Sequence, residues 1–185
     1  MESDQAPKDG ELVTGALPDI LAVIESAKAR GGIEALRKFV AKVLPESEKL
    51  EVAEAADVAL ETIESIPIFL VRARQEAQDR KLGSVVNPLL DLAEHYYLQP
   101  VDLLPEMTLG LPGLLDDSYL VIRILANLER GPEAFLDWDL DYPARFLTRL
   151  IGPGVAQRLD AIAIQAMQDV STNLFELWSQ MSHPA

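Results

Sequence analysis

The 185-residue chain contains no cysteine and only two histidines, His95 and His183. It therefore has no disulfide framework and no thiol chemistry, and a Ser-His-Asp nucleophile would have to recruit one of those two imidazoles. Basic residues are few, 16 against 30 acidic ones, which leaves a formal net charge of −14. That charge repels phosphate backbones and anionic bilayers, so no nucleic-acid partner is expected. Long uncharged apolar runs are missing as well. Met107 to Leu115 is typical of the charge-free stretches, and it is full of helix breakers, whereas a membrane-spanning helix needs about 20 mainly apolar residues. Asp91, Glu94, Asp102, Asp117 and Arg123 interrupt the most hydrophobic region, which argues against integral membrane insertion. No Gly-x-Ser-x-Gly, no glycine-rich phosphate loop, no Walker-type lysine and no Glu-x-x-His occurs, which removes the commonest catalytic and di-metal signatures. The start, Met1-Glu2-Ser3-Asp4, lacks the basic region of a signal peptide, so the expected location is cytoplasmic.

What is present reads as helix. No stretch alternates apolar and polar residues with period two, and apolar residues recur instead at three- and four-residue steps. The expected fold is all-α, a single-domain helical bundle of eight or nine helices, with residues 1–11 as a disordered acidic tail and 12–182 as the domain. Pro18 opens a first helix that Gly31-Gly32 ends, and a second runs from Ile33 to Leu44 before Pro45. A third, from about Ser47 to Ser65, carries an acidic surface, and Pro67 is expected to kink or break the chain. A fourth covers Ile68 to Leu82 with Gly83 as its cap, and Asn87-Pro88 is expected to open a fifth that ends near Gln99. The segment from Asp117 to Glu129 is apolar over most of its surface apart from Arg123 and Asn127, and so is expected to be the buried central helix. Gly131-Pro132 then turns the chain into an acidic aromatic segment, a short helix follows from Pro143 to Ile151, and the last runs from about Val155 to Met181.

Between the fifth helix and the central one lies Tyr96-Tyr97-Leu98-Gln99-Pro100-Val101-Asp102-Leu103-Leu104-Pro105-Glu106, followed by a Pro/Gly loop ending in Asp116-Asp117. Three prolines and two glycines prevent a single helix here, while the leucines call for burial. Tyr96, Pro100, Asp102, Leu103, Leu104 and Pro105 fit the signature of the YkvA-like family of bacterial proteins, and the stretch of about 85–128 resembles that family. Glu106 stands where the family usually has Asp, and the loop is one residue longer. The resemblance implies a domain of unknown function and brings no activity with it. The hydrophobicity of the family's motif region implies, at most, a peripheral membrane association.

Four groups of side chains are candidates for function. Asp102, Glu106, Asp116 and Asp117 could converge on a hard divalent cation, which is bound by several carboxylate oxygens. They could equally be helix caps, with Asp116 as an N-cap and Leu115 and Leu120 as a hydrophobic staple across it. Asp91, Glu94 and His95 share one face of the fifth helix, but the opposite arc is the apolar one, so all three are expected at the solvent surface. Phe135, Trp138 and Tyr142, interleaved with Asp137, Asp139 and Asp141, either pin a linker to the core or form a recognition loop for a basic partner. Arg72, Arg74, Arg80 and Lys81 form the densest basic run and are expected to offset the acidic third helix.

The expected function is that of a soluble interaction or scaffold protein, with a protein partner or a homo-oligomer and no catalytic residue or cofactor. The alternative is a metal-binding protein or metal-dependent hydrolase using the motif carboxylates. Because Asp91, Asp117 and Arg123 lie inside the only segments apolar enough to suggest a membrane, the protein should be recovered in the soluble fraction without detergent. Retention in the membrane pellet after a carbonate wash is the opposing result.

Overall fold

The computed structural model describes residues 16–46, 51–99, 110–130 and 133–182, with side chains of the last stretch described for 133–168 and 179. The tail 1–11, the Gly131-Pro132 turn and the segment 100–109 lie outside these residues. Seven α-helices occur among them: α1 (Leu17–Ala29), α2 (Gly32–Val43), α3 (Val52–Asp79), α4 (Gly83–Leu98), α5 (Leu115–Leu125), α6 (Asp141–Ile151) and α7 (Pro153–Ser182). Two 3₁₀ turns, Leu111–Leu114 and Ala126–Arg130, flank α5, and no strand occurs among the described residues.

Among the described residues the third and fourth expected helices are one, and the expected short helix before Met107 lies outside those residues. Pro67 sits inside α3 and does not break it. A proline in a helix interior removes one backbone hydrogen bond and costs about 3 kcal/mol. Here the burial of Ile63, Ile66, Leu70, Ala73 and Ala77 on both sides of it outweighs that cost. The hydroxyls of Thr62 and Ser65 bond back to the carbonyls of Val58 and Glu61, at 2.8 and 2.7 Å, just before the turn that the proline disturbs.

α4 likewise starts earlier than Asn87, and Pro88 lies inside it. The reason is the way α3 ends. Lys81 adopts a left-handed conformation, φ 58°; its amide reaches the Gln78 carbonyl at 3.0 Å and the next amide, of Leu82, reaches Ala77 at 2.7 Å. These paired bonds close the helix with a lysine in the usual place of glycine. Gly83 is thereby released to open α4 instead of capping α3.

The centre of the molecule is α5, in which every residue except Arg123 is buried. It packs against α3, α4, α6 and α7. Its one exposed-side polar residue is answered: Arg123 Nε donates to Asp160 Oδ1 of α7 at 2.9 Å, and the Tyr119 hydroxyl donates to the same oxygen at 2.9 Å. The expected central helix 117–129 is thus α5 with its following 3₁₀ turn. Asn127, placed on the polar line with Arg123, is buried and donates from Nδ2 to the carbonyls of Arg123 and Ile124 at 3.1 and 3.2 Å. The amide satisfies the carbonyls that the end of α5 leaves open.

Ile124 is 0% exposed. Replacing it with alanine should destabilise the protein by about 2–5 kcal/mol, the range for truncating a core isoleucine, as read by denaturant unfolding. A loss under about 0.5 kcal/mol, typical of a surface site, would remove α5 from the centre of the core.

Candidate functional site

The proline-rich motif reaches the described residues again at Gly110, with φ 75° and ψ −154°. A Cβ at this position would lie 2.8 Å from the Arg30 carbonyl oxygen, so the turn rests directly on the C-terminal end of α1. Only glycine combines this φ with so close an approach. From there Leu111–Leu114 forms the 3₁₀ turn, with Leu111 and Pro112 buried, and runs straight into α5.

That continuity overturns the capping reading of Asp116. Leu115, expected to precede the cap, is the first residue of α5, and its amide already donates to the Pro112 carbonyl. Asp116 and Asp117 lie within the first turn, where α5 has no side-chain cap hydrogen bond. Asp116 Oδ1 accepts the Asp117 amide at 3.0 Å. Both carboxylates are buried, at 4% and 5% exposure. The next residue, Ser118, is completely buried, and its hydroxyl lies against that of Tyr97 from the last turn of α4. Burial holds the Tyr97 phenol well above its ordinary pKa; the Ser118 hydroxyl opposes that shift, and the nearby charge of Asp117 adds a smaller push upward. Asp102 and Glu106, the other half of the expected carboxylate set, lie outside the described residues. Among the described residues no three His, Asp or Glu side chains gather in a metal-binding group.

The second candidate group divides. Asp91 and His95 are exposed as expected, and His95 meets the Tyr96 ring edge-on at 6.0 Å. Glu94 is buried, contrary to expectation, because α3 brings Arg74 against it. Arg74 Nε donates to Glu94 Oε1 at 3.1 Å, and Nη2 reaches Glu94 Oε2 at 2.8 Å and Asp91 Oδ1 at 2.6 Å. Burial works against the guanidinium charge, but its two carboxylate partners outweigh that and raise its pKa. Arg74 shares the buried row of α3 with Ile63, Ile66, Leu70 and Ala77; its three- and four-residue spacing from them was the signal that it faces inward.

The basic run does not offset the acidic face of α3. Arg74 pairs with α4, Arg80 pairs with Glu76 and donates to the Phe135 carbonyl at 3.1 Å, and Arg72 stands over the Trp138 ring at 5.5 Å. These contacts fasten the segment between the second 3₁₀ turn and α6. Phe135 is buried, and the Trp138 ring lies 4.7 Å from that of Phe69. Glu129 accepts the amides of Phe135 and Leu136 at 3.1 and 2.7 Å. Asp139 accepts those of Asp141 and Tyr142 at 3.2 Å each, and so serves the start of α6. Phe135 and Trp138 therefore pin the segment, while Tyr142 does not and is 59% exposed. It lies off the inward row of α6, which is Ala144, Leu147 and Ile151. Clefts of about 250 and 380 Å³ open on the two sides of the pinned segment, the first beside Arg123, Arg130 and Trp138, the second beside Arg72, Asp79 and Asp137.

Among the described residues no helix is long and apolar enough to cross a membrane. Comparison with family models, with curated proteins and with solved structures finds no match. The YkvA-like resemblance accordingly stands on its motif residues alone.

The Arg74–Glu94 pair generates a sharp expectation. Glu94→Ala leaves a buried guanidinium short of its bidentate partner and should cost about 3–5 kcal/mol. The double replacement Arg74→Met with Glu94→Leu should recover most of that loss, because it removes both buried charges. Denaturant midpoints of the three proteins measure both effects, and a double variant as weak as the single one would contradict the account.

Proposed function

We propose that this protein acts in the cytoplasm as a helical interaction protein, and that it meets another protein, or a second copy of itself, through the face built on residues 133–142. The observation that carries this reading is Tyr142, 59% exposed at the start of α6 beside a segment whose other two aromatic rings are held in place. Tyrosine, tryptophan and arginine dominate the energetics of protein contacts because each buries a large area with little conformational freedom to lose. This face presents all three, with Arg72 on Trp138 and Arg130 at the rim of the cleft beyond it. The surrounding segment is held by its backbone hydrogen bonds to Glu129 and Arg80, so docking would require little rearrangement. Nothing in this reading calls for a catalytic residue or a cofactor, and the motif resemblance supplies neither.

The test is affinity capture from the native host with the wild-type chain, Tyr142→Ala and Arg72→Ala. Tyr142→Ala should fold with unchanged stability, since its side chain is exposed, whereas Arg72→Ala also removes the contact on Trp138 and is read together with its unfolding midpoint. A partner retained by the wild type should be lost from Tyr142→Ala with a drop in affinity of about thirtyfold, corresponding to a hot spot of about 2 kcal/mol. Equal retention by the wild type and by Tyr142→Ala would place the contact elsewhere.

A further inference from the structure

We propose, on the footing that 133–142 is the docking face, that its partner is a different protein. That protein docks a basic segment, bearing arginine or lysine, against Tyr142 and the ridge between the two clefts.

The exposed aromatic ring is the first observation. Phe69 lies against the Trp138 ring at 4.7 Å and Arg72 stands over it at 5.5 Å, whereas Tyr142 is 59% exposed and its ring is open to a new contact. A guanidinium or ammonium within about 6 Å of an open aromatic face is attracted to it. A carboxylate stands at the root of the same residue, since the Tyr142 amide lies 3.2 Å from Asp139 Oδ1. Arginine in particular stacks on a ring and forks onto a carboxylate.

The second observation is charge of one sign around that ring. Between Arg130 and Arg145 every charged residue is acidic: Glu133, Asp137, Asp139 and Asp141. All four are exposed, while Phe135 and Leu140 between them are buried. Asp139 uses only Oδ1 for the amides of Asp141 and Tyr142. Among the described residues Asp137 and Asp141 have no cationic partner, and Arg145, one turn along α6, makes no ion pair with Asp141. The larger cleft continues this pattern beside the ridge. It is about 380 Å³, and its arginines are engaged, Arg80 with Glu76 and Arg72 with Trp138, which leaves Asp79 and Asp137 on its wall. A long cationic side chain entering there lays its methylenes along Phe135 and Leu136 and brings its charge to those carboxylates.

Charge also decides between the two kinds of partner. A symmetric dimer through this face sets the same carboxylates against one another, in a chain whose formal net charge is −14. A basic segment of another protein meets no such repulsion and is steered toward the face.

The experiment uses the full chain and two fluorescent peptides of about ten residues, one alternating arginine with glycine and the other glutamate with glycine. Fluorescence anisotropy should show the arginine peptide binding at least about tenfold tighter than the glutamate one. The decisive variants change charge equally at two places: Asp137→Asn with Asp141→Asn on the face, and Glu54→Gln with Asp57→Asn on the exposed acidic side of α3. The first pair should weaken the arginine peptide about fivefold, and Tyr142→Ala about fivefold as well. The second pair should cost less than about twofold, because exposed charges beyond a Debye length are screened. All the substituted side chains are exposed, so unfolding midpoints should stay unchanged. Equal losses from the two pairs, or full binding by Tyr142→Ala, would overturn the proposal. A captured native partner lost from Tyr142→Ala but not displaced by the arginine peptide overturns this inference and leaves the docking face standing. A dimer that sedimentation detects and Tyr142→Ala dissolves does the same. A native partner held equally by Tyr142→Ala removes the face itself.

Discussion

The structure depends on one constraint: a helix that is apolar nearly all round must be surrounded. α5 exposes only Arg123, so α3, α4, α6 and α7 have to cover it on every other side. Burial on this scale leaves the remaining polar groups of α5 little freedom. Arg123 and Tyr119 share one oxygen of Asp160, and the acidic first turn meets the end of α4. The arrangement of the other helices follows from having to supply both apolar cover and matching polar atoms.

Covering α5 explains why two prolines stand inside helices. Pro67 and Pro88 each remove an amide donor, and either would end an isolated helix. Within this bundle, the apolar row through Ile63, Ile66 and Leu70 continues in phase across Pro67, and packing on that row is worth more than one missing hydrogen bond. The same packing draws Arg74 into the interior, where Glu94 must accompany it. A buried charge without its partner is far costlier than a lost surface pair.

The polar features fall into two groups by what they do for the fold. Glu129, Asp139, Asn127 and Arg80 all bond to backbone atoms at chain turns, and they hold the described residues between α5 and α6 in place. Tyr142 is different: it is an aromatic ring 59% exposed. Packing does not account for it, which is why the proposed function rests on it.

The sequence by itself determined the helical class, the extents of α1, α2, α6 and α7 to within a few residues, and the central place of α5. Each of these depends on local periodicity and on residues such as Pro18, the Gly31-Gly32 pair and the apolar run from Leu120 to Leu125, whose effects need no distant partner. The Pro/Gly motif, expected to be a corner, lies mostly outside the described residues, with Asp102 and Glu106; of it only the turn at Gly110 and the 3₁₀ element Leu111–Leu114 are described. Tertiary structure alone decided that α3 passes through Pro67, that Lys81 rather than Gly83 ends it, and that Glu94 turns inward to Arg74. It likewise decided that Asp116 is a buried first-turn residue and not a cap, because the preceding 3₁₀ turn had already satisfied the amide at the helix entrance. In each of these cases the deciding atom belongs to another turn or another helix, and the energy of that contact exceeds the local preference that periodicity and capping rules record.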